Sequence, residues 1–311
     1  MPLRITLRQL EYFIAVCECG SIALAAQKVN VSSPTISTAM AQLEAEVGLR
    51  LFIRRHAHGL AVSQVGRRFL EGAREAVARV EALGDLASDL AGTVRGDLHV
   101  GCLVTFAQIV LPKLRRGFID TYPEVTFQQF ERDQSEIFEE LRDARLDVAI
   151  TYDLGIPPDL DFLPLIDLPP VAHFPQGHPL AERREVALSE LVDLPMILLD
   201  LPVSTDYFLA LFAETGQRPR VVERTRDIAV MRSLVANDFG YSIANIRPIT
   251  DQAPDGGTLR FVPISGGPRL LKMGILTSRG AETSRTVAAF IEHVRDNLGE
   301  ASEFSFGAVA G

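Results

Sequence analysis

The chain has 311 residues, 47% of them hydrophobic and 23% charged, with a net charge of -9. That is about two ordinary domain lengths of globular composition, and it excludes one small core, a collagen-like chain and a wholly disordered one. No run approaches the roughly 18 uninterrupted apolar residues of a membrane span, and the first residues lack the charged and apolar regions of a secretory signal, so no membrane role and a cytoplasmic location are expected.

The charge is unevenly distributed. Residues 1–70 hold eight basic against four acidic side chains, a balance of +4 that leaves -13 for the remainder. A basic end on an acidic body suits a protein that brings only one end to phosphates. Thr6 is placed to cap a helix carrying Leu7, Leu10, Phe13, Ile14 and Cys17 at helical spacing, with Gly20 as its stop. Ser21 caps a second helix with Ile22, Ala25, Ala26 and Val29 inward. Ser32 or Ser33 caps a third, with Pro34 in its first turn, where a missing N–H costs nothing. Ile36, Met40 and Leu43 then face inward, and Ser33, Thr35, Ser37, Thr38, Ala41 and Gln42 face outward. Such a surface can lie in a major groove and offer hydrogen bonds to base edges and phosphates. Residues 51–62 follow as two short apolar strands around a basic tip, a wing whose candidate DNA contacts are Arg54, Arg55, His56 and His58.

This arrangement resembles the LysR-type transcriptional regulators. The resemblance is carried by Leu7-Arg8-Gln9-Leu10-Glu11-Tyr12-Phe13, Ser21, Ala25-Ala26, Ser33-Pro34, Ser37, Gln42-Leu43-Glu44, Gly48, Leu51-Phe52 and Arg54, and continues through Ser63, Gly66 and Phe69. It implies a winged helix-turn-helix, a linker helix, and a two-lobed α/β effector domain like the periplasmic solute-binding proteins. Partners implied are double-stranded promoter DNA with a partly dyad-symmetric site, a small-molecule effector, and RNA polymerase. Thr38 stands where many members carry Arg, which shifts phosphate contacts toward Arg54, Arg55 and the wing.

From Ser63 a helical pattern without Pro runs to about Leu90. Phe69, Ala73, Ala76, Val80, Leu83, Ala87 and Leu90 alternate spacings of four and three, the seam of a coiled coil. In the resembling family this helix pairs two subunits antiparallel, so a dimer or tetramer is expected. The domain boundaries expected are 1–62 for the winged head, 63–92 for the dimerising helix and 93–311 for the effector domain. Within the last, lobe one takes about 96–165 and 269–300, and lobe two about 166–268. Strands at 98–104, 125–130 and 147–150 alternate with helices, as do those of the second half, which reads as parallel sheets covered on both faces. Segments 164–170 and 263–268 are the expected crossings between lobes.

Ligands of such sheets bind at strand ends. Thr105 and Phe106, Gln134, Tyr152, Pro202, Ser204, Thr205 and Arg226 occupy those turns, and the resemblance places Thr105, Gln134 and Pro202 at effector-lining positions. Helix N-termini with hydroxyls and Arg226 would suit an organic anion such as a carboxylate. The alternatives are simple helix capping at those residues and a neutral or aromatic ligand against Phe106 and Tyr152. Cys17, Cys19 and Cys102 are an odd set with no zinc-like spacing, so no metal and no cofactor are expected. No catalytic motif assembles, and the chain reads as no enzyme. A redox-responsive or effector-independent regulator and an α/β enzyme are the competing readings.

Overall fold

The structure, a computed structural model, describes residues 4–55, 59–91, 93–280 and 284–298. It divides between Ala91 and Gly92 into two units.

In the first unit, helix α1 (Leu7–Cys19) begins at a reciprocal cap. The Thr6 hydroxyl accepts from the Gln9 N–H, and the Gln9 amide oxygen accepts from the Thr6 N–H. Gly20 ends it in the left-handed conformation, φ 62°. Helix α2 (Ile22–Lys28) follows, then α3 (Ser33–Val47), whose cap is Ser32 with Pro34 in the first turn. Phe13, Ile36 and Leu43 are fully buried where the three helices meet. Phe13 stands edge-on to both Phe52 and Phe69, at 5.3 Å in each case, so one side chain joins the helices to the first strand of the wing and to the long helix after it.

Strands β1 (Phe52–Arg55) and β2 (Gly59–Val62) form the antiparallel wing, Phe52 opposite Val62. Helix α4 (Gln64–Ala91) completes the unit. Its apolar seam divides into two parts. Phe69 and Ala73 pack into the core of the head, whereas Val80 and Leu83 stand 44% and 61% exposed. The side chains of Ala87 and Leu90 lie outside the described residues.

The second unit opens with β3 (Gly96–Leu103), α5 (Val104–Thr121), β4 (Val125–Arg132), α6 (Gln134–Arg142), β5 (Val148–Tyr152) and β6 (Leu160–Leu168). The chain then crosses to lobe two: β7 (Val171–Pro175), α7 (Leu188–Leu191), β8 (Pro195–Leu199), α8 (Ser204–Ala210) with a 3-10 turn, β9 (Arg220–Thr225), α9 (Ile228–Ala236), β10 (Ser242–Ala244) and β11 (Leu259–Pro263). It returns through β12 (Leu271–Ser278) and α10 (Arg285–Leu298).

Lobe one has the strand order β4-β3-β5-β12-β6, and lobe two holds a triplet β10-β7-β11 and a pair β8-β9. The lobe-one sheet is mixed, and in lobe two β7 is antiparallel to β10 and β11 while β8 and β9 are parallel, which corrects the wholly parallel expectation. β3 is parallel to β4 and β5, but β12 is antiparallel to β5 and β6, because it re-enters the sheet from the opposite lobe. The first crossing is also shorter than the expected 164–170, because β6 runs on to Leu168 and β7 starts at Val171. Pro164 lies inside β6, an edge strand where its missing N–H breaks no ladder on the open side. Asn245 donates to the Leu168 carbonyl and the Tyr207 hydroxyl, and Tyr207 donates to the Arg269 carbonyl. Two side chains thus tie both crossings to α8.

Candidate functional site

Two surfaces collect the residues singled out from the sequence. On α3 the periodicity that buries Ile36, Ala39, Met40 and Leu43 turns Ser33, Pro34, Thr35, Ser37, Thr38 and Gln42 to solvent. Few of their polar groups are engaged. The Thr35 and Ser32 hydroxyls lie 2.8 Å apart, and Gln42 accepts a long 3.5 Å bond from Gln9. Arg54 and Arg55 are in the backbone of β1, with side chains outside the described residues, as are His56 and His58 at the tip.

The second surface is the cleft between the lobes. Helix α5 starts where β3 ends, so Thr105 and Phe106 fall in its first turn, and both are buried. Phe106 meets Tyr152 edge-on at 5.1 Å. Thr105 Oγ1 is buried and makes no hydrogen bond of good geometry. Burial raises the pKa of the Tyr152 hydroxyl, and the nearby Thr105 hydroxyl opposes that rise.

Gln134 is placed as a brace within lobe one. Its amide nitrogen donates to the Tyr152 and Leu154 carbonyls, both at 3.0 Å, and its oxygen accepts from the Thr151 hydroxyl. From lobe two, Pro202 is exposed and Ser204 buried, while the Thr205 hydroxyl donates to Asp200 Oδ1 and the Leu201 carbonyl. The N–H groups of Ser204 and Thr205 were expected to be open to an anion. They bond instead to the carbonyls of Pro202 and Leu201, because the chain turns tightly into a short helix.

Arg226 differs from its expected role as an open counter-charge. Its Nη2 lies 2.9 Å from Asp133 Oδ2, an ion pair between the lobes. Sequence reasoning does not single out Asp133, although Asp133-Gln134-Ser135-Glu136 carries the spacing of a capping box. Its Oδ1 accepts from the Ser135 and Glu136 N–H groups, which leaves Oδ2 turned to Arg226. The lobes also approach where a Cβ on Gly155 would stand 3.2 Å from Val203 Cγ1.

Among the described residues no group of three His, Cys, Asp or Glu side chains could hold a metal ion. Cys17, Cys19 and Cys102 are free thiols. Burial pushes Cys17 up to about 12, with Arg74 opposing, and pushes Cys102 up as well. Both are therefore protonated and poor nucleophiles near neutral pH.

A winged three-helix head followed by a two-lobed α/β unit defines a class of bacterial regulators that couple DNA binding to a ligand. The description "Bacterial regulatory helix-turn-helix protein, lysR family" matches residues 7–67, and "LysR substrate binding domain" matches residues 91–299. The chain belongs to the LysR family: it is a DNA-binding transcriptional regulator with an effector-binding domain. It is 28% identical to the transcriptional activator protein LysR of Escherichia coli over 295 residues, 94% of each chain. It resembles the crystal structure of HinK, a LysR family regulator from Pseudomonas aeruginosa, with a TM-score of 0.63 and 31% identity over 94% of this chain and 99% of that one. Full-length CbnR in complex with its target DNA gives a TM-score of 0.65 and 25% identity, covering 94% of this chain and 99% of that one. No single helix among the described residues is long and apolar enough to cross a membrane.

Proposed function

We propose that the outer face of α3 reads the operator, with Ser33, Pro34, Thr35, Ser37, Thr38 and Gln42 against the major groove, and that the wing holds phosphates through Arg54, Arg55, His56 and His58. The observation that carries this reading is the unbroken exposed polar strip on α3 above four buried apolar residues. Phosphate contacts position a protein on DNA and base contacts specify the sequence. Arg54→Ala should therefore weaken binding to every duplex and flatten its salt dependence. Gln42→Ala and Thr35→Ala should change preference among duplexes selected from a random pool. Anisotropy titrations at several salt concentrations test it, and undiminished affinity in Arg54→Ala removes the wing from the interface.

The same reading makes the protein a cytoplasmic homo-oligomer without catalytic activity, paired through α4. Val80 and Leu83, exposed in the single chain, supply apolar surface for a partner helix. Light scattering of a monodisperse monomer at micromolar concentration would count against pairing.

The effector is a small organic anion in the cleft. Thr105, whose buried hydroxyl makes no hydrogen bond of good geometry, supports this together with the buried Phe106 and Tyr152 that stand edge-on to each other beside it. Arg226 reaches the anion by exchanging Asp133 for it, and Gln134, Pro202 and Thr205 shape the wall. A ligand at about 100 times its dissociation constant stabilises a fold by about 2.7 kcal/mol. Thermal shifts from carboxylates, absent with their amides and diminished in Thr105→Val, are the expected result. Shifts from the amides alone would refute the anion.

A further inference from the structure

Glu44 stands on α3 just beyond the reading face, half-buried, and belongs to neither the polar strip nor the core. Its carboxylate faces the backbone where the wing begins. One oxygen, Oε1, accepts from the Leu51 N–H at 2.6 Å and from the Phe52 N–H at 3.1 Å. The other side of the same short peptide is held from the start of α4. There the Ser63 hydroxyl donates to the Arg50 carbonyl at 2.8 Å, and the Ser63 N–H donates to the Leu51 carbonyl at 2.8 Å. The Ser63 hydroxyl also accepts from the Gly66 N–H at 2.9 Å, which fixes it in the first turn of the helix. A side chain at Gly66 would place a Cβ 2.2 Å from the Leu51 oxygen, so glycine is what lets α4 approach this closely.

We propose that Glu44 and Ser63 are positioning residues for DNA binding, a clamp that sets the angle of the wing to the reading face. This rests on the reading that the wing contacts phosphates. An isolated two-stranded ribbon is marginal in water and cannot hold its own orientation. Packing alone supplies depth but little direction: Leu51 is fully buried and Phe52 lies against Phe13. Hydrogen bonds, which require both distance and angle, supply direction. Bonds to an ionised acceptor are the stronger kind. Because Glu44 of α3 holds Leu51 and Phe52 while Ser63, just before α4, holds Arg50 and Leu51, the recognition helix, the wing and the start of the linker helix keep one geometry. The buried Phe13, Ile36 and Leu43 are untouched by loss of the clamp, so its removal loosens the wing and leaves the head folded.

The test is binding of the full chain to a labelled mixed-sequence duplex across a salt series. Glu44→Ala should weaken binding by about ten- to a hundredfold, the effect of losing bonds to a charged acceptor. It should also lower the slope of log K against log salt by about one for each phosphate that the wing no longer neutralises. Glu44→Gln keeps an oxygen at the same reach and should recover most of both. In an Arg54→Ala, Arg55→Ala background Glu44→Ala should produce no further change in slope, because the side chains it orients are already gone. A folded Glu44→Ala protein with the wild-type slope would overturn the clamp, as would a full additive loss in the arginine-less background. A wild-type slope in Arg54→Ala, Arg55→Ala would overturn the wing reading itself. Should Glu44→Ala lose the helical circular dichroism of the head, Ser63→Ala, which releases the Arg50 carbonyl, is read by the same slope with the same expectations.

Discussion

The outer face of α3 and the walls of the cleft are both polar, yet they satisfy their polar groups in opposite ways. On α3 the hydroxyls and the Gln42 amide lie in water with few protein partners. In the cleft, Gln134 is bonded at both ends of its amide, Thr205 donates to two acceptors, and Arg226 is paired with Asp133. For Gln134, which is 1% exposed, the difference follows from burial. An exposed group exchanges water for a base edge at small cost, whereas a buried donor or acceptor left unpaired costs about 1–3 kcal/mol. Gln134 is therefore satisfied within the protein, whereas Thr105 Oγ1 makes no hydrogen bond of good geometry.

The sharpest test of this contrast is Gln134→Leu. It strands the carbonyls of Tyr152 and Leu154 and the Thr151 hydroxyl, and should destabilise the effector unit by about 3 kcal/mol or more. Urea unfolding followed by circular dichroism measures it, and a loss near zero would erase the distinction between the two surfaces.

The next effect is a dependence on pH. His173 on β7 is completely buried, edge-on to Phe261, and neither ring nitrogen has a hydrogen-bond partner. Burial first, then Arg232 and Arg247, hold its pKa at about 3. The unfolded chain takes up this proton near pH 6.5 and the folded chain does not. Stability is therefore highest above pH 6.5 and falls as pH drops from 6.5 toward 3. Between pH 7 and 5 this one group should cost about 2 kcal/mol. His173→Leu should unfold with less acid sensitivity over that interval, and an unchanged pH profile would mean another group governs it.

Smaller changes separate the two partners of the interlobe pair. Asp133→Ala removes both the cap of α6 and the bond to Arg226, and should cost about 1–2 kcal/mol. Arg226→Ala leaves the cap intact and removes a pair whose arginine is 68% exposed, so about 1 kcal/mol or less is expected. Equal losses would show that the cap contributes little. Smallest of all, Gln42→Ala should change thermal stability by no more than about 0.5 kcal/mol while altering operator preference. A large fall in melting temperature would show that the reading face is not independent of the fold beneath it.

The head is legible in the sequence because its signals are local. Thr6 with Gln9, Ser32 before Pro34, and the stop at Gly20 each act within a few residues, and the apolar spacing of α3 alone decides which side faces out. The cleft depends on pairings that no spacing encodes. Asp133 and Arg226 are 93 residues apart, and the orientation of the Gln134 amide is settled by Thr151, Tyr152 and Leu154 on a different element. Position at a strand-to-helix turn is readable, but the choice between brace and ligand donor is not. β11 escapes sequence reasoning and β6 is cut short by it for a related reason. Pro263 and Pro164 read as breaks, although an edge strand and a strand end both tolerate proline.

Val203 has φ 68° and ψ -43°, and the Ser204 N–H returns to the Pro202 carbonyl across it at 2.8 Å. This is a tight γ-turn of the rare, strained kind, built on a β-branched residue. Such a conformation costs about 1–3 kcal/mol and persists only where its surroundings enforce it. Val203 therefore holds its strain where the other lobe comes near, since a Cβ added at Gly155 would stand 3.2 Å from its Cγ1. A glycine at this position would adopt the same turn without that cost, so the valine keeps a shape that the chain does not favour by itself.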